Sequence, residues 1–168
     1  AWTWQWAISA SNTVLQPGDT VWVHVGRYMV DKDNGDIPRR AGNASFPIIY
    51  RAMPGEHVEL YSNRTPPWSP LQVEAAYTWW WGFDIYQTDV VVMKEAPAIG
   101  VNADNVKFIN CTVHDAMSIN ITDYAFQGTE VTGCIIYYGG RQTNICQHGY
   151  GGYIQNKAPS ARKIYRHN

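Results

Sequence analysis

The side chains in this sequence that are best suited to proton transfer lie in the stretch QHGYGGYIQN, Gln147 to Asn156. His148, Tyr150 and Tyr153 could pass a proton to or from a substrate carbon, and Arg141 just before them could pair with a carboxylate. We predict these four residues as one catalytic group. The alternative is that the glycines make a tight bend before a strand and that His148 hydrogen-bonds to a loop.

A second candidate group consists of two adjacent residues, His114 and Asp115. A histidine beside an aspartate can serve as a base that its partner holds in one tautomer. Such a pair can equally end a strand and satisfy the following turn. The catalytic interpretation gains if His114 and His148 prove to be close in space.

Consecutive aromatic residues predict a surface that binds substrate. In the triplet Trp79-Trp80-Trp81, strand alternation would turn Trp79 and Trp81 outward if Trp80 is in the core. Two outward indoles could stack on sugars, or a corner loop could cover them. Tyr137 and Tyr138 are predicted as further substrate-binding residues.

No cofactor is assigned, although Ca²⁺ is possible. The stretch DKDNGD, Asp31 to Asp36, has the carboxylate density of a calcium loop. It departs from the EF-hand pattern, because Gly35 stands where an oxygen ligand is needed. We therefore interpret this stretch as a solvated turn and predict no metal ligands.

Composition limits the possible partners. The 168 residues suit one domain, 1–168, and the 16% of charged residues leave a net charge of −1. That balance gives no reason to expect nucleic-acid binding, and the chain has no apolar run long enough for membrane insertion. Eight Trp and eleven Tyr fill a core or line a groove for flat or sugar-like ligands.

The elements that must position these residues emerge when the chain is aligned with itself. WWGFDIY (Trp80 to Tyr86), FINCTVH (Phe108 to His114) and VTGCIIY (Val131 to Tyr137) align without gaps. Each copy is predicted to be a short strand about 4.8 Å from the next, so that equivalent side chains stack in columns. Three inward columns follow: Phe83, Cys111 and Cys134; Ile85, Val113 and Ile136; and Trp80, Phe108 and Val131.

Three further features follow from the alignment. A fourth copy at Tyr165 to Asn168 would place Asn168 on Cys134. The third position, occupied by Gly82, Asn110 and Gly133, should face outward or form a bend. Stacked Cys111 and Cys134 would have parallel Cβ vectors that fit a disulfide poorly, so we predict free thiols.

Two less regular segments complete the pattern. SINIT (118–122) and GGYIQ (151–155) suggest a second line of strands, in which Ile119 pairs with Gly152 and Ile121 with Ile154. The start of the chain has helical periodicity between Thr3 and Leu15, and Pro17-Gly18 ends it. We predict an apolar face of Trp6, Ala7, Ala10 and Val14 on a helix within residues 1–16 that caps coils formed by residues 17–168.

These segments together resemble a known family. LQPGDTVWVHVGRY (15–28), PIIYRAMPGEHVEL (47–60), GFDI, NCTVHD and HGYGGYIQN are similar to the right-handed parallel β-helix repeat proteins of the pectate-lyase-like superfamily. The resemblance implies an all-β, right-handed, single-stranded parallel β-helix of about five coils with a capping helix. It also implies a secreted or cell-surface protein whose coils continue beyond residue 168.

The same resemblance implies activity on a uronate-containing polysaccharide, most simply as a lyase that works by β-elimination. Hydrolysis is the variant reaction, but the acidic pair and Gly-His-Gly triplet of the related hydrolases have only partial counterparts in NITD (120–123) and QHGYG (147–151). Two alternatives remain open: a glycan-binding or adhesive module without turnover, and a purely structural fibre segment. The fold does not decide among them.

Overall fold

The protein, analysed as a computed structural model, is an all-β parallel β-solenoid of about four turns that follows one short N-terminal helix. The structure describes residues 2–9, 12–30, 37–62, 69–88, 97–123, 126–140, 149–156 and 161–168. One hydrophobic core runs through the turns and includes Trp4, Tyr50, Trp80 and Phe108. The predicted all-β fold class is therefore confirmed.

The strands form three parallel sheets, and within each sheet they are stacked in chain order. Sheet A contains β1 (Thr20–Val23), β3 (Ile48–Ala52), β6 (Thr78–Trp81), β9 (Lys107–Ile109), β12 (Glu130–Thr132) and β15 (Ile164–Arg166). Sheet B contains β2 (Gly26–Met29), β4 (Val58–Ser62), β7 (Phe83–Gln87), β10 (Thr112–His114) and β13 (Ile135–Tyr137). Sheet C contains β5 (Leu71–Val73), β8 (Ile99–Val101), β11 (Ile121–Asp123) and β14 (Gly152–Ile154).

The predicted inward columns are confirmed. In sheet A, Trp80 pairs with Phe108 and Phe108 pairs with Val131, and all three side chains are fully buried. The fourth copy also exists, because Tyr165 pairs with Val131 and the backbone N–H of Cys134 donates to Asn168 Oδ1 at 2.9 Å.

The two other columns lie in sheet B or at its start. Val113 pairs with both Ile85 and Ile136. Phe83, Cys111 and Cys134 are buried in the core, and both of these cysteines are free thiols, as predicted. Cys146 lies outside the described residues.

The chain bends from sheet A into sheet B at the third position of each repeat. Gly82, Asn110 and Gly133 have positive φ values of 79°, 50° and 65°, in the left-handed region that favours Gly and tolerates Asn. A Cβ on Gly133 would lie 2.4 Å from Asn110 Oδ1, so a larger residue does not fit there without movement. The prediction of a bend at these positions is confirmed.

The predicted register of the second strand line was wrong by two residues. Ile121 pairs with Gly152 and Asp123 with Ile154, whereas the prediction paired Ile119 with Gly152. A shift of two residues leaves every side chain on the same face, so the apolar pattern does not distinguish the two registers. The fully buried Asp123 further masks the true register, because it occupies an inward position where an apolar residue is expected.

The predicted N-terminal helix exists but is shorter than expected. Helix α1 spans Trp4–Ile8, and Thr3 Oγ1 caps it by accepting the Trp6 N–H at 3.2 Å. Its buried face consists of Trp4, Ala7 and Ile8. The predicted apolar positions Trp6 and Val14 are 39% and 60% exposed, so their assignment to that face was wrong.

The helix ends at Ile8 because the backbone of Ser9 is extended, with φ −61° and ψ 140°, and a turn follows at Asn12. Asn12 is fully buried, and its Oδ1 accepts the N–H groups of Val14 and Leu15 at 3.1 and 3.2 Å. This side-chain contact competes with continuation of the helix. Ala10 lies outside the described residues.

Helix α1 nevertheless covers the first turn, as predicted. The Trp4 ring lies 6.5, 6.4 and 6.2 Å from the rings of Tyr50, Trp80 and Phe83. These edge-on and tilted contacts close the apolar end of the solenoid core. Within the described ranges, no helix has the length and apolar character to span a bilayer.

Candidate functional site

The outward side chains of sheet A form a surface that we call the indole–cation face. Parallel register places Trp22 beside Arg51 and Arg51 beside Trp81 in one column. A neighbouring column runs from Trp79 to Lys107 and on to Glu130. Arg166 belongs to the same face through its pairing with Thr132.

The centre of this face is an arginine between two indoles. Arg51 Cζ lies 5.0 Å from the ring centroid of Trp22 and 3.9 Å from that of Trp81. Both distances fall within the range of cation–π attraction, which fixes the guanidinium between the rings. Trp22 is 46% exposed, so the stack is accessible from solvent.

The second column of the face repeats this chemistry with a lysine. Lys107 Nζ lies 4.5 Å from the Trp79 ring centroid and 3.0 Å from Glu130 Oε2. Arg166 Nη2 lies 2.5 Å from Glu130 Oε1. Hydrogen bonds from Lys107 and then Arg166 lower the pKa of Glu130. The outward strand positions of the face thus carry three cations, Arg51, Lys107 and Arg166, and one carboxylate, Glu130.

The outward side chains of sheet B form a contrasting surface, which we call the carboxylate–histidine face. Its members are Arg27, His57, Glu59, Tyr61, Asp84, Tyr86, His114, Asp115 and Tyr137. Three carboxylates face one arginine and two histidines here. The sign of the fixed charge is therefore opposite to that of the indole–cation face.

The predicted pair His114 and Asp115 lies on this face and is in contact. His114 Nδ1 is 2.7 Å from Asp115 Oδ2, and its Nε2 is 2.9 Å from Asp84 Oδ1. The His114 side chain is only 14% exposed. Because each ring nitrogen faces a carboxylate oxygen, neither can take a proton from a substrate without losing one of these contacts.

Asp84 connects this pair to a second histidine. His57 Nε2 lies 3.0 Å from Asp84 Oδ2, and His57 Nδ1 lies 3.8 Å from Glu59 Oε1. Glu59 and Asp84 are direct partners in the register of β4 and β7. The ring of His57 therefore contacts two carboxylates from neighbouring turns.

Arg27 and Tyr86 complete the polar network. Arg27 Nε donates to Glu59 Oε2 at 2.9 Å and its Nη2 to the Tyr86 hydroxyl at 2.8 Å. The Tyr86 hydroxyl donates in turn to Glu59. The hydrogen bond from Tyr86, followed by that from Arg27, lowers the pKa of Glu59. Burial and the Glu59 contact raise the pKa of Tyr86.

The rings on this face form a stacked column. Tyr61 and Tyr86 are 6.1 Å apart, Tyr86 and His114 5.0 Å, and His114 and Tyr137 4.9 Å, with interplanar angles of 20° or less. Since the faces of the inner rings cover each other, this stack offers ring edges rather than a platform to a ligand. Tyr138 meets Tyr137 edge-on at 5.2 Å.

The predicted site residues are distributed over three sheets. His114, Asp115, Tyr137 and Tyr138 lie on or beside sheet B, and Trp79 and Trp81 face outward from sheet A as predicted. Tyr153 lies in β14 of sheet C, and Tyr150 precedes that strand. Both tyrosines are exposed, at 42% and 49%.

The segment that carries Tyr150 passes close to the end of sheet B. A Cβ on Gly140 would lie 2.3 Å from Gly149 Cα, and one on Gly139 would lie 2.7 Å from the Tyr150 carbonyl oxygen. This close backbone approach accounts for Gly139, Gly140 and Gly149. The other members of the predicted catalytic group, His148 and Arg141, lie outside the described residues, as does the stretch 31–36.

Several members of both faces were not predicted from the sequence. The repeat alignment contained a signal for some, since Asp84 and Tyr86 occupy the same outward positions as Thr112 and His114. Arg27, Glu59 and Arg51 belong to the first turns, outside the three copies that align without gaps. In the part of the chain that the structure describes, no group of three or more potential ligands is arranged to hold a metal ion.

Comparison with known proteins does not assign the chain to a family. No family model matches the chain, and no curated protein or solved structure matches it significantly. The fold and the two faces define the chain as a parallel β-solenoid with two outer surfaces of opposite charge.

Proposed function

We propose that this protein is a secreted or cell-surface, carbohydrate-active β-solenoid that holds a uronate-containing polysaccharide along the indole–cation face. The observation that carries this proposal is the stack of Trp22, Arg51 and Trp81 with Lys107 beside it on Trp79. The indole surfaces that Arg51 and Lys107 leave uncovered suit the apolar faces of sugar rings, and the cations suit uronate carboxylates. Both groups alternate from turn to turn on the same surface.

Geometry supports an extended ligand. Successive turns place equivalent side chains about 4.8 Å apart, which is close to the length of one sugar unit in an extended chain. The guanidinium of Arg51 is held by its two rings, so little side-chain freedom is lost when it binds a carboxylate. Lys107 provides the next cation along the indole–cation face, and Arg166 provides a third.

Turnover of a glycan is the second candidate function. Catalysis of β-elimination by His148, Tyr150, Tyr153 and Arg141 stays a prediction. The reaction requires a base beside a uronate whose carboxylate is neutralised. The carboxylate–histidine face is unsuited to that reaction, because its carboxylates repel a uronate. Its registered pair Glu59 and Asp84 offers no free acid or base for hydrolysis either, because Arg27 and Tyr86 hold Glu59 while His57 and His114 hold Asp84.

Affinity electrophoresis tests the binding proposal. The protein is run through native gels that contain polygalacturonate, alginate or a neutral glucan of similar length. We expect retardation by the two polyuronates, none by the glucan, and loss of retardation as salt is added, because exposed ion pairs are screened. Equal migration in all three gels would contradict the proposal.

Product analysis then separates binding from turnover. Incubation with the same polymers is followed by ultraviolet absorbance for unsaturated sugars and by an assay for new reducing ends. Unsaturated products would support β-elimination, whereas reducing ends without unsaturation would support hydrolysis. If neither forms while the polyuronates still retard migration, the protein is a binding module.

A further inference from the structure

A cavity of about 610 Å³ lies between helix α1 and the first strand of sheet A. Its volume is in the range of small-ligand sites in proteins. The described residues that line it come from the first 28 positions of the chain. The most distinctive of them are Trp2, Trp4, Trp22, Tyr28, Asp19 and His24.

The lining combines aromatic rings with a few polar groups. Trp4 and Tyr28 are packed with their ring centroids 5.7 Å apart, which fixes that wall. On the polar side, Asp19 Oδ2 accepts the Gln16 N–H at 2.8 Å, and His24 Nδ1 lies 3.2 Å from Glu56 Oε2. Ring surfaces with a small number of oriented hydrogen-bonding groups suit a sugar ring and its hydroxyls.

The cavity meets the indole–cation face at Trp22, which lines the cavity and also stacks on Arg51. Arg51, which stacks on this indole, comes from β3, whereas the described residues that line the cavity precede β3. Arg51 and the cavity therefore lie on opposite sides of Trp22 along the solenoid axis. A ligand that follows Trp81 and Arg51 towards the N-terminal end of the solenoid arrives at this cavity, with α1 beyond it.

We infer that the cavity is the subsite for the terminal sugar of the polysaccharide that lies along the indole–cation face. This inference rests on the proposed function. Helix α1 prevents the ligand from continuing in the same direction, so only a chain end can enter. A terminal sugar carries a hydroxyl that internal units lack, and Asp19, Thr20 and His24 are the groups placed to bind it.

Two matched variants test the subsite. Trp2 lines the cavity and is 48% exposed, while Trp6 is 39% exposed, lies in the same segment and does not line the cavity. Calorimetry is used to measure the binding of a hexamer of galacturonate and of a long polygalacturonate, whose ends are rare. We expect Trp2→Ala to weaken hexamer binding roughly fivefold, as for the loss of one ring contact, and to leave polymer affinity unchanged. Trp6→Ala should change neither.

The results also separate this inference from the proposed function. If Trp2→Ala binds the hexamer like the unmodified protein while Arg51→Ala loses both ligands, the subsite is wrong and the binding face stands. If Trp2→Ala weakens hexamer and polymer equally, the cavity does not select ends and the inference fails. If Arg51→Ala keeps hexamer binding that Trp2→Ala loses, the binding face is wrong, and the cavity binds the sugar on its own rather than as the end of that face. Absence of binding by the unmodified protein overturns both.

Discussion

The two outer faces of the solenoid are built on the same scaffold but use their charges differently. On the carboxylate–histidine face, parallel register brings Arg27 onto Glu59, and the histidines contact Asp84, so charged groups mostly satisfy one another. On the indole–cation face, Arg51 and Lys107 lie on rings, and Lys107 and Arg166 share a single carboxylate, Glu130. The comparison teaches that one backbone pattern can give a self-contained network on one sheet and a surface with unneutralised charge on another.

The largest expected effect is the loss of glycan binding when Arg51 is replaced. Arg51→Ala removes both cation–π contacts and the cation at the centre of the indole–cation face. We expect polygalacturonate affinity to fall about 50-fold, which corresponds to the loss of a charge-assisted hydrogen bond. Arg27→Ala is the matched control, because Arg27 also lies over a ring, that of Tyr61 at 4.9 Å, yet pairs with Glu59. Equal losses in the two variants would remove the functional distinction between the faces.

The next largest effect concerns the free energy of unfolding. It should fall more for a substitution on sheet B than for one on sheet A. His114→Phe retains a ring between Tyr86 and Tyr137 but removes the contacts with Asp84 and Asp115. We expect the free energy of unfolding in urea to fall by about 1–2 kcal/mol.

The comparison variant for this prediction lies on sheet A. Lys107→Met removes an ion pair whose lysine side chain is 33% exposed, so the cost should stay below about 1 kcal/mol. A greater loss of stability for Lys107→Met than for His114→Phe would show that the network on sheet B is not the more structural of the two.

Acid titration should show the contribution of the carboxylates on both faces to stability. This effect should be smaller than the previous one. The folded pKa of Glu59 is lowered by Tyr86 and Arg27, so its contribution to stability is present above its unfolded pKa and is lost as the pH falls through the folded value. Glu59→Gln should therefore flatten the decline in stability below about pH 4.5. Glu130→Gln should do the same on sheet A, since Lys107 and Arg166 lower the pKa of Glu130. Unfolding curves between neutral and acid pH that coincide for Glu59→Gln and the unmodified protein would refute this prediction.

The smallest effect has the opposite sign. Glu130→Gln removes the carboxylate of the indole–cation face and releases Lys107 and Arg166 from it. Polygalacturonate affinity, measured by calorimetry, should rise about two- to threefold, because exposed ion pairs contribute little each. Glu59→Gln is the control on the other sheet and should leave the affinity unchanged. A decrease for Glu130→Gln would mean that this carboxylate orients the cations for the ligand.

The sequence was sufficient for the inward columns but not for the contacts between outward residues. Repeated positions such as Trp80 and Phe108 are apolar in each copy, so a short self-alignment finds them. The pairs that form the faces, such as Arg27 with Glu59, depend on how the loops between turns set the register. Those loops differ in length, so no constant spacing marks such a pair, and in sheet C the apolar pattern fits two registers equally well.

The bends at Gly82, Asn110 and Gly133 have one more consequence. Each bend joins a strand of sheet A directly to a strand of sheet B, so adding or removing one whole turn would lengthen or shorten both faces together. The number of turns would then determine how many sugar units the indole–cation face contacts. Ligand length would thus be selected by the repeat number of the scaffold, independently of the side chains that recognise each unit.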